Sequence, residues 1–423
     1  MKIAVIGGGG REHAIIRALA ESPKTEIIYA LPGNGGIAQD AVCVPIGAMD
    51  LDRIVDFALD KSIDFAVVAP DDPLAAGLVD MLTEHGISCF GPNKAAAMIE
   101  SSKAFAKSLM KKYNIPTAAY EVFDDLTAAR EYVRKQSYPL VIKADGLALG
   151  KGVIIAETQS DADEALIAMM QDGRFGDSGS RVVIEEFLTG PEVTVLSFCD
   201  GETIVPMVSS MDHKRAFAGD LGPNTGGMGV IAPNPFYTPE QAKRAMNEIF
   251  LPTLRAMQSE GRPFKGCLYF GLMLTADGPK VIEYNCRFGD PEAQAVLPLL
   301  HTDLLEIMLA VSEERLDKLD IVFSHRHSCC LIVASGGYPG AYAKDKKIEV
   351  GDINSARLYH AGTRLGEENE FYTAGGRVLG LTCVAESLSE AVNACYQAVC
   401  GISFEDMYFR PDIGQVALLR GKR

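Results

Sequence analysis

The chain has 423 residues, with 40 Lys and Arg against 56 Asp and Glu, a formal net charge of −16 and 48% hydrophobic residues. That length allows two or three domains with separate cores, and an acidic chain whose basic residues are scattered excludes the clustered positive face of a nucleic-acid binder. The ten cysteines form neither CxxC pairs nor Cys/His blocks at zinc spacing, which points to free thiols in a reducing compartment, and no apolar run suits a signal h-region or a membrane span, so a cytoplasmic protein with no membrane partner is expected.

Residues 2–6 read as a buried strand, followed by Gly7-Gly8-Gly9-Gly10-Arg11-Glu12-His13 and an Ala-rich helix to about Ala20. A glycine turn between strand and helix aims backbone N–H groups and the helix dipole at an anion. A dinucleotide fingerprint fits poorly: its third glycine falls on Glu12 or His13, and the second strand, about 26–30, ends in Leu31-Pro32 where an acid for the ribose is needed. A nicotinamide cofactor is disfavoured and a smaller phosphorylated ligand stays open. A second glycine loop (32–36), a third strand ending in a polar loop (64–72), a fourth strand and turn (89–92) and helices near 51–61 and 74–86 indicate a doubly wound parallel domain closing near residue 100.

Ser101-Ser102 cap a helix carrying Lys103, Lys107, Lys111 and Lys112, most of them expected in solvent. Residues 139–155 read as a strand with Lys143 embedded, a loop holding Gly146, Gly150, Lys151 and Gly152, and a second strand. Such a loop can close over phosphates; Lys143 costs desolvation unless partnered, and a plain hairpin with an exposed lysine is the alternative. The stretch 222–229, Gly-Pro-Asn-Thr-Gly-Gly-Met-Gly, is too rich in glycine for a helix, and is either a binding loop or a surface linker. Strand 267–274 is expected to pair across Asp277-Gly278 with 280–288, where Ile282, Tyr284, Cys286 and Phe288 alternate with Glu283, Asn285 and Arg287. Two oxygen-bearing side chains two residues apart can hold one hard cation that also takes substrate phosphates, as Mg2+ does, and Arg287 offers a fork for carboxylate or phosphate; an ordinary solvated strand face is the alternative. After about residue 325 a last segment restarts, with strands near 327–334 and 377–384 and a helix near 389–399.

Lys103, Lys143, the glycine-lysine loop, Glu185-Glu-Phe-Leu188, Glu192 and Glu283-Tyr-Asn285 together resemble the ATP-grasp ligases. Arg-Phe-Gly-Asp-Pro-Glu-Ala-Gln (287–294), Asp-His-Lys-Arg (212–215) and the 222–229 loop resemble, within them, the phosphoribosylamine–glycine ligase family. The resemblance implies a multi-domain α/β fold: a Rossmann-like, doubly wound N-terminal domain (1–101), an ATP-grasp domain (102–325, with a lid subdomain at about 120–190) and a small C-terminal α/β domain (326–423). It implies that ATP phosphorylates the carboxylate of glycine and that the amine of 5-phosphoribosylamine displaces phosphate. By the same resemblance Glu283 and Asn285 hold Mg2+ or Mn2+, Lys103 and Lys143 meet the ATP phosphates, and Gly150, Lys151 and Gly152 cover them. Glu185 belongs to the nucleotide site, backbone groups around Glu186, Phe187 and Leu188 contact the adenine, and Glu192 accepts from the ribose. Arg287, Asp212 and Lys214 act on the reacting groups, while Asn224, Thr225 and Gly226 and the turn Gly8, Gly9 and Gly10 hold substrate. A monomer or weak homodimer with only small-molecule partners is implied. The loop Pro70-Asp-Asp-Pro-Leu74 and the run Ala216-Phe-Ala-Gly219 depart from the family pattern.

Overall fold

A computed structural model describes residues 1–147, 152–173 and 176–420. The first hundred residues form the expected parallel sheet, in the spatial order Val42–Cys43, Ile27–Pro32, Lys2–Gly7, Phe65–Val68, Ser88–Phe90. Its central strands are continuous apolar runs because helices cover both faces. Lys2–Gly7 lies in register with Ile27–Pro32, so the two glycine loops emerge side by side. Gly33 N–H donates to Gly7 O at 3.1 Å, and the Asn34 amide donates to Gly8 O at 3.0 Å. A Cβ on Gly8 would stand 2.3 Å from Gly33 O, so only glycine permits this approach.

The middle of the chain builds two antiparallel sheets. One contains Tyr120–Phe123, Val182–Glu186, Leu140–Ala144 and Val153–Ala156, and encloses a core of its own with the helices Leu126–Val133 and Gln159–Leu166. The other contains Ile204–Pro206, Glu192–Asp200, Lys265–Thr275 and Gly278–Asn285, and its core is continuous with that of the N-terminal region. A fourth sheet joins Arg357–His360, Arg377–Ala385 and His327–Ser335 to Gly229–Ala232 and Met211–Asp212. Strands from before and after residue 325 therefore share one sheet, which brings the 224–227 loop and Arg377 together.

Two expectations are corrected here. The strand Gly278–Asn285 carries a β-bulge: Gly271 pairs with Glu283, but Leu272 pairs with Val281, leaving Ile282 as the extra residue. The alternation therefore breaks at Ile282, which is half-buried while Val281 enters the core; Tyr284, Cys286 and Phe288 are buried as expected. The strand also ends at Asn285, so Arg287 lies beyond it. Of the helix lysines, most of them expected in solvent, Lys111 and Lys112 are exposed, but Lys107 is 2% exposed. All ten cysteines are free, and no helix among the described residues is long and apolar enough to cross a membrane.

Candidate active site

Glu283 alternates with the buried Tyr284 and so faces away from the core, toward a cluster of cations. Burial works to raise its carboxyl, but Lys214, Lys143, Lys103 and Arg287 together hold it below the ordinary range. Lys214 Nζ lies 3.6 Å from Glu283 Oε1 and 3.3 Å from Glu192 Oε2, so one ammonium links the expected metal ligand to the expected ribose acceptor. The pull of Glu192, helped by Glu283 and opposed by burial, raises the Lys214 pKa.

Asn285 is oriented by its hydrogen bonds. Its neighbours on that side, Glu100 Oε1 at 2.8 Å and Tyr284 O at 3.3 Å, are both acceptors, so the amide is assigned with its NH2 group toward them, which leaves the carbonyl oxygen as the acceptor for a ligand. Glu100 also accepts from Cys286 N at 2.6 Å and pairs with Arg287 Nη2 at 3.0 Å. Arg287 is thus committed on one side, and its buried Nε has no hydrogen-bond partner among the described residues.

Lys143 has the partner its position demands. Its Nζ lies 2.9 Å from Glu185 Oε1 and donates to Ile282 O at 3.0 Å. Lys107 Nζ lies 3.0 Å from Glu185 Oε2; burial lowers its pKa to about 8 against the pull of Glu185. Lys103 Nζ donates to Gly146 O at 2.6 Å where the lid loop begins, and Asp145 next to it is held by Ala104 N, Ser102 and Arg181. Gly152 O accepts from Ala144 N at the far end of that loop. Gly150 and Lys151 lie outside the described residues. Glu185 therefore points inward to the lysines, whereas Glu186 is exposed and Phe187 is an exposed aromatic next to it.

The expected substrate residues collect at the other end. A Cβ on Gly9 would stand 3.2 Å from Asp290 Oδ2, and one on Gly10 would stand 2.4 Å from Gln294 Nε2, so the glycine turn packs against the 287–294 segment. One N–H of the turn is already taken, since Gly9 N donates to Glu12 Oε2 at 2.6 Å. Arg377 donates to Gly226 O at 2.7 Å and to Asp290 O at 2.5 Å. Thr225 N and Oγ1 both donate to Lys214 O, and Asn224 pairs with Arg215 in a short hairpin. Asp212 Oδ1 is buried without a hydrogen-bond partner among the described residues; burial and the charge of Glu292 push its carboxyl well above the usual range. The absence of a side chain at Gly227 is what admits it, because a Cβ there would lie 2.6 Å from Asp212 Oδ1.

Glu100, Lys107, Glu292 and Arg377 were not singled out as site residues from sequence. A weak signal existed for one of them: Glu292 lies inside the 287–294 stretch that carries the resemblance.

Comparison with known proteins agrees with this arrangement. Residues 1–100 match the N domain of phosphoribosylglycinamide synthetase, residues 101–293 its ATP-grasp (A) domain, and residues 328–416 its C domain. The phosphoribosylamine–glycine ligase of Caldanaerobacter subterraneus subsp. tengcongensis is 46% identical over 414 residues, covering 98% of this chain and 99% of that one. The ligase of the same name from Halalkalibacterium halodurans is 47% identical over 420 residues, covering 99% and 97%. The crystal structure of phosphoribosylamine–glycine ligase from Thermotoga maritima superposes with a TM-score of 0.86 at 32% identity, covering 97% of this chain and all of that one. The biotin carboxylase domain of Hydrogenobacter thermophilus 2-oxoglutarate carboxylase, at 16% identity and a TM-score of 0.75, shares the fold alone. The chain belongs to the phosphoribosylglycinamide synthetase family, the phosphoribosylamine–glycine ligases of the ATP-grasp superfamily.

Proposed function

We propose that this chain ligates glycine to 5-phosphoribosylamine, forming glycinamide ribonucleotide, ADP and phosphate through a glycyl phosphate, the second step of de novo purine synthesis. A carboxylate oxygen of glycine attacks the γ-phosphorus of ATP, and ADP leaves. The amine nitrogen of phosphoribosylamine then attacks the acyl carbon, the C–O bond to phosphate breaks, and the nitrogen gives up a proton. The observation that carries this reading is the continuity of the site: Lys214 contacts Glu192 and Glu283 through its side chain and the 224–227 loop through its backbone, so nucleotide and acceptor residues adjoin.

Phosphoryl transfer is catalysed chiefly by placing positive charge around the transferring group. Lys103 and Lys143 meet the ATP phosphates, and Glu192 accepts from the ribose hydroxyls. The Glu283 carboxylate and the free Asn285 carbonyl are hard oxygen donors that fit Mg2+ or Mn2+; a bound cation would supply charge neutralisation at the transferring phosphoryl group. Arg287 steadies the acyl phosphate, and the unpaired Asp212 oxygen takes a substrate amino group. The turn Gly8–Gly10, with Arg377 behind it, receives the sugar phosphate. The net charge of −16 and the free thiols support a cytoplasmic enzyme, acting as a monomer or weak homodimer without nucleic-acid or membrane partners.

ADP release with ATP and Mg2+, omitting each substrate in turn, tests the reading. ADP that forms only with glycine and phosphoribosylamine together supports it. ADP formed at equal rate with another amino acid would make the chain a different carboxylate–amine ligase.

A further inference from the structure

We infer that Glu100, from the N-terminal region, is the positioning residue that sets the metal-ligating face of the strand Gly278–Asn285. One buried carboxylate, 7% exposed, engages three consecutive residues: the Asn285 amide at 2.8 Å, Cys286 N at 2.6 Å and Arg287 Nη2 at 3.0 Å. The inference rests on Glu283 and Asn285 being the metal ligands.

An Asn side chain has an oxygen that can ligate a cation and an NH2 that cannot, and the two ends differ little in shape. Near a cation site, something must decide which end points inward. Glu100 decides it here, because a carboxylate accepts and never donates, and so it selects the NH2 end and leaves the carbonyl for the cation. Glu100 is delivered by the helix Lys94–Ser101, which is capped by Asn93 and buries Ala96, Ala97 and Ile99. Arg11, from the same region, donates to Phe288 O at 3.1 Å, so the segment beyond the strand is gripped from the N-terminal side twice. Partners of this kind, one step removed from a metal, commonly change affinity or activity by about 10- to 100-fold.

The test measures Mn2+ binding to the full-length protein in the presence of ADP, by electron paramagnetic resonance of free Mn2+, beside ADP binding without metal and thermal melting. Glu100→Gln is expected to weaken Mn2+ binding by about 10- to 100-fold, with metal-free ADP binding unchanged. Asn285→Asp supplies a second route should Glu100→Gln not fold. As an isolated ligand a new carboxylate would tighten the metal; facing Glu100 it has no proton to donate, so weaker binding is expected. The double variant Glu100→Gln/Asn285→Asp restores a donor–acceptor pair and is expected to bind Mn2+ more tightly than Asn285→Asp alone. Wild-type Mn2+ affinity in Glu100→Gln, or tighter binding in Asn285→Asp, overturns the role of Glu100. Glu283→Ala separates the two levels: if it binds Mn2+ like wild type, the metal-site reading itself is wrong.

Discussion

Lys107, on the helix Lys103–Lys112, meets Glu185, on the strand Val182–Glu186, at 3.0 Å with both side chains almost fully buried. Lys143 shares the same carboxylate from the other side. Removing one member of a buried ion pair costs about 3–5 kcal/mol because the remaining charge is stranded. Glu185→Met strands two lysines and is expected to lose stability of about that size in urea unfolding, whereas Lys107→Met leaves the Lys143 pair and should cost less. Equal losses would mean that Lys143 does not depend on Glu185.

Glu283 is half-buried and packs no core cluster, so its loss should be chemical. Glu283→Gln is expected to lower kcat about 100- to 1000-fold, the equivalent of roughly 3–4 kcal/mol of charge stabilisation at the transferring phosphoryl group, with the melting temperature within a few degrees of wild type. Unfolding of this variant would show a structural residue.

Two buried histidines join the N- and C-terminal regions. His360 N donates to His13 Nδ1 at 2.8 Å, and His13 Nε2 lies 2.8 Å from Asp40 Oδ2. Burial, then the neighbouring His13, lowers the His360 pKa to about 3; burial also lowers that of His13, against the Asp40 hydrogen bond. The unfolded chain then binds more protons than the folded one below about pH 6.5, so stability falls on acidification. Asp40, held at about 2 chiefly by its hydrogen bond to His13, stays ionised in this range and adds no slope until lower pH. Between pH 6.5 and 5 the loss is expected to be about 1–2 kcal/mol, and His360→Asn should reduce it, leaving the share of the other lowered histidines, His13 and His213. A stability that is level over this range in the wild type would contradict buried neutral histidines.

Arg377 fastens the 224–227 loop to Asp290 with two hydrogen bonds and an ion pair at 3.4 Å. Hydrogen bonds to a charged group contribute about 1.5–3 kcal/mol, so Arg377→Leu is expected to raise the KM for phosphoribosylamine about 10- to 100-fold while leaving the KM for ATP near wild type. An equal rise in both would place Arg377 outside the acceptor end.

The parts legible from sequence were local. The glycine turn at 7–10, the strand-borne Lys143 and the Glu283/Asn285 pair all announce themselves within ten residues, since strand periodicity and glycine spacing are short-range signals. Glu100 and Cys286 are 186 residues apart, and Arg377 and Asp290 are 87 apart, so no window could show that these residues meet. The Lys107 error has the same origin: a lysine on an amphipathic helix is ordinarily solvated, and only the third-dimensional neighbour Glu185 makes its burial tolerable. Ile282 misled because the bulge that displaces it is a property of the pairing with Gly271 and Leu272, and the alternating pattern carries no trace of it.

The most direct test of the account uses glycine labelled with 18O in its carboxylate, with ATP, Mg2+ and phosphoribosylamine, followed by mass analysis of the phosphate released. Activation of the glycine carboxylate by phosphoryl transfer predicts one 18O in each phosphate and one retained in the amide product. Amide product formed beside unlabelled phosphate, with the lost 18O recovered in water or in a nucleotide, would contradict it.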